Sequence, residues 1–260
     1  MKLHFSKYQG TGNDFVMIDN RNKRFPAGRE VIAQMCRRRT GIGADGLILL
    51  EEDDTYDFAM RYFNADGGES TMCGNGGRCV IAFAHHLGLF KKRTVFRAVD
   101  GLHEGEIEGE WVRLKMNDVK GIRQIEEGYF LDTGSPHYVL FREDTEKTDV
   151  IAEGRQWRYS DLFRPEGTNV NFVQVSGPSR LYNRTYERGV EDETLSCGTG
   201  SIAAALTLAH TRQNVSSPVT VVTRGGTLKV HFRQTDTTLF TDIYLEGPAT
   251  HVFDGEILIP

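Results

Sequence analysis

Residues 69–76 read ESTMCGNG and residues 193–200 read ETLSCGTG, and each string runs directly into an apolar segment of helical length. Both fit Glu-x-x-x-Cys-Gly-x-Gly. Glycine makes up 28 of 260 residues and there are four cysteines, so a given cysteine meets glycine at both +1 and +3 roughly once in a hundred trials. Aligned without a gap, the copies also match Tyr62 with Tyr186 and set Asn64 opposite Arg188. An internal duplication with one thiol per half accounts for these matches.

The apolar segments that follow, CVIAFA at 79–84 and IAAALTLA at 202–209, are hydrophobic on every side, as suits helices enclosed in a core. The pattern predicts helices at about 75–87 and 199–211, with two more at 29–38 and near 150–158. Strand-like runs dominate the rest: 3–8, 15–19, 47–51, 57–63, 95–99 and 111–116, then 138–142, 170–175, 180–186, 219–223, 227–232, 238–245 and 256–259. Residues 117–128 (NDVKGIRQIEEG) are polar and without sustained periodicity, which marks a boundary. The expected halves are 1–117 with Cys73 and 118–247 with Cys197, and 248–260 is expected to return to the first. The fold class expected is α+β: two structurally similar halves, each a mostly antiparallel, barrel-like sheet wrapped around a central helix, with the active site in the cleft between them.

A net charge of −5 and a single short basic run, Arg37-Arg38-Arg39, argue against a nucleic-acid or membrane partner. The run reads as a solvated helix end. No apolar stretch approaches the ~20 residues needed to span a bilayer, and the first ten residues (MKLHFSKYQG) lack a signal-peptide core. These features predict a soluble, cytoplasmic protein whose Cys36, Cys73, Cys79 and Cys197 stay reduced.

A free cysteine is ordinarily a small buried hydrophobe, and Cys36 and Cys79, inside apolar helical patterns, fit that description. Cys73 and Cys197 differ because each opens a helix. Unpaired backbone N–H groups and the positive end of the helix dipole stabilise a thiolate there. The same amides, opened by Gly74 and Gly76 or by Gly198 and Gly200, suit a small anion such as a carboxylate. Two such thiols facing one carbon form an acid–base pair: one removes a proton and the other returns one to the opposite face. Amides on the carboxylate stabilise the charge that grows as the α-proton leaves. No cofactor is demanded.

The runs GTGNDFVMID (10–19), GIGADGL (41–47), FNADGGESTMCGNGGRC (63–79), TGSPHYV (133–139), GTNVNFV (167–173) and YERGVEDETLSCGTG (186–200) together resemble the diaminopimelate epimerase family, in that family's order and across both halves. The resemblance implies a cofactor-independent homodimer that interconverts LL- and meso-diaminopimelate for lysine and cell-wall precursor synthesis. It assigns Cys73 and Cys197 as base and acid. The reacting carboxylate goes to the backbone of Gly74-Asn75 and Gly198-Thr199. Other substrate contacts fall on Asn13, Asn64, Asn169, Glu187 and Arg188, the arginine suiting a distal carboxylate through a bidentate contact. His137 and Glu187 are implied to tune the thiols. Two positions depart from the family: Ser135 where asparagine is frequent, and Gly46 where some members carry glutamine.

Other motifs fail on context. Gly41-x-Gly43-x-x-Gly46 follows a helical segment and leads into a strand, the reverse of a dinucleotide fingerprint, and reads as a turn. His85 and His86 point about 100° apart on a helix and are poor joint metal ligands. Cys73 and Cys79 lack zinc spacing, so no metal site is expected. Two rival functions remain from the sequence: another cofactor-independent racemase acting on proline, hydroxyproline or an acidic amino acid, and a dithiol switch or amino-acid binding protein without turnover.

Overall fold

The structure is a computed structural model and describes residues 2–259. Its first elements are strands β1 (Lys2–Gly10) and β2 (Asn13–Asp19), helix α1 (Arg29–Cys36), strands β3 (Gly46–Glu51), β4 (Phe58–Asn64) and β5 (Glu69–Ser70), and helix α2 (Gly74–His86). Strands β6 (Arg93–Ala98), β7 (Gly101–Glu108), β8 (Trp111–Lys115), β9 (Val119–Lys120), β10 (Arg123–Ile125), β11 (Gly128–Asp132) and β12 (Pro136–Phe141) come next. Helix α3 (Val150–Arg158), strands β13 (Asn169–Gly177), β14 (Arg180–Glu187) and β15 (Asp192–Thr194), and helix α4 (Gly198–Thr211) follow. Strands β16 (Val219–Thr223), β17 (Gly226–Asp236), β18 (Leu239–Pro248) and β19 (Thr250–Leu258) complete the described chain. Extensive mixed sheet and few helices make this an α+β fold.

The chain divides into two compact units, one holding the chain through Leu114 and again from Gly247, the other Lys115–Glu246. In the first unit the strands pair in the order β19, β1, β2, β3, β4, β6, β7, β8. Only β2–β3 and β4–β6 are parallel. Parallel neighbours need a crossover, supplied by α1 in the first case and by β5 with α2 in the second. The second unit pairs in the order β10, β11, β12, β13, β14, β16, β17, β18, β9. Its parallel pairs are β12–β13 and β14–β16, crossed by α3 and by β15 with α4.

Strands β2, β3 and β12 carry the uninterrupted apolar runs FVMI, LILL and YVLF, which have a direct cause. Alternate residues of a strand face opposite sides, and the strands that carry these runs are covered on both. Val16 and Ile18 pack with Ile32 and Met35 of α1, while Phe15 reaches α2 beside Gly76. Tyr138 and Leu140 pack with Val150 of α3, and Val139 packs with Ile202 and Ala205 of α4. A strand buried on both faces reads as a hydrophobic run and not as an alternation.

Helix α2 lies against β1, β2, β3, β4, β7 and β19, and α4 against β11, β12, β13, β14, β16 and β17. Every α4 residue from Gly200 to Ala209 is buried, as is α2 from Gly74 to Ala84. The α2 span includes one arginine, Arg78.

Three local expectations change. Helix α1 stops at Cys36, two residues short, because Arg37 turns to φ −63°, ψ 122° and the following loop takes the helix-end carbonyls: Ile42 and Gly43 N–H both donate to Met35 O. Residues 117–128, read from the sequence as a boundary without sustained periodicity, carry two short strands, β9 and β10, held by pairing to β18 and β11. Segments this short form through their neighbours and leave no period of their own. The sequence reading also passed over β7, a largely exposed strand whose hairpin with β6 turns at Val99-Asp100.

Gly154 is where α3 meets β14, and a Cβ there would stand 2.4 Å from the Tyr186 Cβ. Gly→Ala inside a helix ordinarily stabilises by about 1 kcal/mol. Here overpacking reverses the sign, and Gly154→Ala is expected to destabilise by about 1–3 kcal/mol. An unchanged or raised midpoint in urea unfolding would contradict this packing.

Candidate functional site

Cys73 is the N-cap of α2, with extended backbone at φ −106° and ψ 152°, and its Sγ accepts the Gly76 N–H; the N···S distance is 3.2 Å. The helical ladder begins where Gly77 N–H donates to Cys73 O at 2.8 Å. The amides of Gly74 and Asn75 precede that rung and point out of the helix end. Asn75 Nδ2 donates to Asn13 Oδ1 at 3.4 Å, and Asn13 Nδ2 donates to Asp45 Oδ2 at 2.7 Å. Asn13 stands just past the β1–β2 turn, where Thr11 and Gly12 take positive φ of 52° and 88°. Cys73, Gly74, Asn75 and Asn13 thus form one group.

Asn64 ends β4, exposed, opposite Gly46 of β3, and among the described residues its side chain has no hydrogen bond to that group. The Gly46 departure also has a steric basis. A Cβ at position 46 would lie 2.5 Å from the Tyr62 ring and 2.6 Å from Phe63 O.

In the second unit Cys197 caps α4, with φ −117° and ψ 117°. Gly200 N–H donates to its Sγ at 3.4 Å, and Ser201 N–H donates to Cys197 O at 2.9 Å. The Thr199 hydroxyl lies 3.5 Å from Cys197 Sγ and 3.0 Å from His137 Nε2. His137 Nδ1 faces Asn171 Nδ2 at 2.9 Å, and Asn171 Oδ1 accepts from Thr185 Oγ1 at 2.9 Å. An amide nitrogen only donates, so Nδ1 is the acceptor and Nε2 carries the hydrogen toward Thr199. His137 is fully buried, and desolvation, with the Arg188 charge adding to it, pushes its pKa down to about 3. The imidazole is therefore neutral and reaches Cys197 through Thr199.

Asn169, paired with His137 across β12 and β13, donates to Ser135 Oγ and Pro136 O, both at 2.9 Å. Its Oδ1 accepts the Arg188 N–H at 2.8 Å. Glu187 accepts from Thr194 Oγ1 at 2.9 Å. Ser135, which stands where the family frequently has asparagine, touches Asn169 directly.

The motif glutamates are clamps. Arg61 holds Glu69 with two bonds of 2.8 and 3.0 Å. Arg184 holds Glu193 with bonds of 2.7 and 2.8 Å, and Arg224 adds one of 2.9 Å. Each pair fastens the short strand that leads into a capping cysteine.

Cys36 and Cys79 behave as packing: both are buried, and burial pushes each thiol up to about 12. Among the described residues no group of three His, Cys, Asp or Glu is placed to hold a metal ion, and no helix is long and apolar enough to cross a membrane. Sequence reasoning missed Asn171, Thr185, Thr11 and Arg78. Asn171 left a signal, because it follows Asn169 by two residues on one strand and so shares its face.

A family model described as diaminopimelate epimerase matches residues 5–120 and 129–252. A curated diaminopimelate epimerase from Flavobacterium psychrophilum is 51% identical over 259 residues, covering 99% of this chain and 100% of its own. One from Chlorobaculum tepidum is 47% identical, covering 96% and 99%. Among solved structures, a phenazine biosynthesis protein of the PhzF family from Bacillus anthracis superposes with a TM-score of 0.79 at 14% identity, over 100% of both chains. A probable proline racemase from Agrobacterium radiobacter gives 0.67 at 13% identity, over 99% of this chain and 93% of its own. At such identities the solved structures share the fold alone. The sequence matches span the whole site, and the chain belongs to the diaminopimelate epimerase family.

Proposed function

We infer that this chain interconverts LL- and meso-2,6-diaminopimelate by removing and returning the α-proton with two cysteine sulfurs, as a step of lysine and peptidoglycan precursor synthesis. One observation carries the mechanism. Each unit brings a cysteine Sγ to the N-terminus of a buried helix, where a main-chain amide donates to it.

The duplication is supported by the pairings. From β1 the first unit runs antiparallel to β2, parallel to β3, antiparallel to β4, parallel to β6, then antiparallel to β7 and β8. From β11 the second unit repeats that succession through β12, β13, β14, β16, β17 and β18. We take the halves as 1–117 and 118–247, each a barrel-like sheet around its capped helix, with 248–260 joining the first through β19.

In the proposed reaction one sulfur, as thiolate, accepts the α-proton, and the other, as thiol, gives its proton to the opposite face. The configuration inverts and the pair ends with its roles exchanged. Negative charge moves onto the α-carboxylate as the C–H bond breaks, and the amides of Gly74, Asn75, Gly198 and Thr199 stabilise it. Arg188 takes the distal carboxylate in a bidentate contact, with Asn13, Asn64, Asn169 and Glu187 on the remaining polar groups. Neutral His137 donates to Thr199, which leaves the threonine hydroxyl hydrogen for Cys197 and stabilises that sulfur when it is ionised. No cofactor enters the reaction. The same assignment makes the enzyme a cytoplasmic homodimer without nucleic-acid or membrane partners.

Purified protein incubated in deuterated water with LL-diaminopimelate, L-proline and L-glutamate, without cofactor, is expected to exchange the α-hydrogen of diaminopimelate only, followed by NMR. Exchange on proline instead would transfer the site to the racemases of similar fold, and no exchange under reducing conditions would refute an epimerase. Cys73→Ala and Cys197→Ala are each expected to lower inversion by about 10²–10⁴-fold or more with the unfolding midpoint little changed; either variant inverting at the original rate contradicts the two-sulfur mechanism.

His137 gives a stability prediction with a definite sign. Its pKa falls from 6.5 to about 3 on folding, so between those values the unfolded chain binds a proton that the folded chain refuses. Stability is full above pH 6.5 and is lost as pH falls through that window, by up to about 1.4 kcal/mol per pH unit. His137→Gln should flatten the loss measured by urea unfolding between about pH 6.5 and 5; an equally steep loss in the variant would show that His137 is not its source.

A further inference from the structure

We propose that Arg78 is a positioning residue for this site, a buried cation that orients Asn75 and makes the two capping sulfurs electrostatically unequal. The role attached to Cys73 rests on the two-sulfur mechanism, but the inequality is read on the thiols themselves.

The copies diverge five residues past the cysteine, where α2 carries Arg78 and α4 carries Ile202. Arg78 is 0% exposed and Ile202 is 1% exposed. Removing a guanidinium from water costs several kcal/mol unless a partner offsets it, and an apolar residue at this depth costs nothing. Among the described residues no carboxylate pairs with Arg78. It donates to Gly74 O at 3.1 Å, to Asn75 Oδ1 at 3.0 Å and to Thr11 Oγ1 at 3.3 Å, all neutral acceptors, and its Nε has no partner. A buried, uncompensated cation whose acceptors all belong to the thiol's own helix turn and the turn before β2 is an expensive feature to keep for packing alone.

Two consequences follow. Because Asn75 Oδ1 is taken by the guanidinium, its Nδ2 is turned outward toward Asn13 Oδ1, which fixes the amide at a position that also supplies a backbone donor. Second, the positive charge lies within electrostatic reach of Cys73: burial lowers the Arg78 pKa to about 10, while Cys79 and Cys73 act to raise it. Arg78 is therefore charged at neutral pH and favours an ionised Cys73.

The surroundings leave that charge unopposed. Cys79 on α2 and Tyr8 on β1 are held neutral up to about 12. On the elements packed against α2, Lys7 pairs with Asp14, Asp19 with Arg21, Arg61 with Glu69, Glu106 with Arg93, His103 with Asp100, His251 with Asp254, and Lys2 and His4 with Glu256. Glu51 accepts from Asn20; Glu104 and Glu108 are exposed positions of β7. His85 and His86 sit at the far end of α2. Along α4 the only titratable residue past the cysteine is His210, in its last turn. Beside its start the imidazole that reaches Cys197 through Thr199 is neutral, the Arg188 charge just past β14 acts on that imidazole and Glu187 accepts from Thr194. The cations near this sulfur thus come from outside its helix, whereas Arg78 is buried within α2.

The test is alkylation of the full chain by iodoacetamide across pH 5–10, with Cys73 and Cys197 followed separately by peptide mass spectrometry. In the unaltered protein Cys73 is expected to react with the lower apparent pKa. Arg78→Met should raise the Cys73 value by about one unit or more and leave the Cys197 value in place, while Arg78→Lys, which keeps the charge, should restore most of the difference. A Cys73 profile unmoved in folded Arg78→Met, or one moved equally by Arg78→Lys, overturns the proposal. Should Arg78→Met not fold, the unaltered protein still decides: Cys197 titrating at or below Cys73 overturns it. Substrate is absent throughout, so failure here and failure of diaminopimelate turnover are separate results.

Discussion

The hydrogen bond from a main-chain amide to a cysteine sulfur, Gly76 N–H to Cys73 and Gly200 N–H to Cys197, is the interaction around which the rest of the structure is arranged. It requires an extended cysteine immediately before a helix, and the packing around the residue three positions on leaves little room for a side chain. A Cβ at Gly200 would stand 2.4 Å from Asn171 Oδ1, and one at Gly76 would stand 3.2 Å from Cys73 Sγ. Glycine at +3 therefore fits the close packing around that amide, while the N-cap geometry brings the amide to the sulfur. The next requirement is that water not compete for that amide, which explains why both helices are buried where they begin.

Burying a helix start has structural consequences that reach the sheets. Strands must cover the helix on several sides, and the central ones, β2, β3, β12 and β13, are themselves backed by α1 or α3, so they are apolar on both faces. In such surroundings the partial charge at a helix N-terminus is less screened than at a surface. The same desolvation keeps His137 neutral and makes a buried guanidinium in α2 consequential. The site's electrostatics and the fold's burial pattern are one arrangement.

Much of this was legible in the sequence. The repeat located both sulfurs and both buried helices, and the runs FVMI and LILL in β2 and β3 were read as strands, their burial on both faces showing only in the packing. The glycines were read only in part. The sequence suggested that those at +1 and +3 both open amides to a ligand, whereas the +3 amide is used by the sulfur. What stayed hidden depends on tertiary partners: the chain from Asn171 through His137 and Thr199 to Cys197 joins residues up to 62 positions apart. Nor does the repeat announce the arginines that clamp its glutamates, because Arg61 and Arg184 are not aligned with each other. Arg78 was hardest to see, since nothing local distinguishes a buried arginine from one that reaches solvent at a helix end.

The central claim is that two different sulfurs serve the two faces of one carbon. It is tested most directly by where deuterium goes in the first few per cent of reaction from unlabelled LL-diaminopimelate in deuterated water. Two sulfurs predict deuterium at the inverted α-carbon of the product while the recovered LL-isomer stays unlabelled, because the proton taken by one sulfur is not the one returned by the other. Equal labelling of recovered substrate and product from the outset would mean that a single group serves both faces, and would contradict the account.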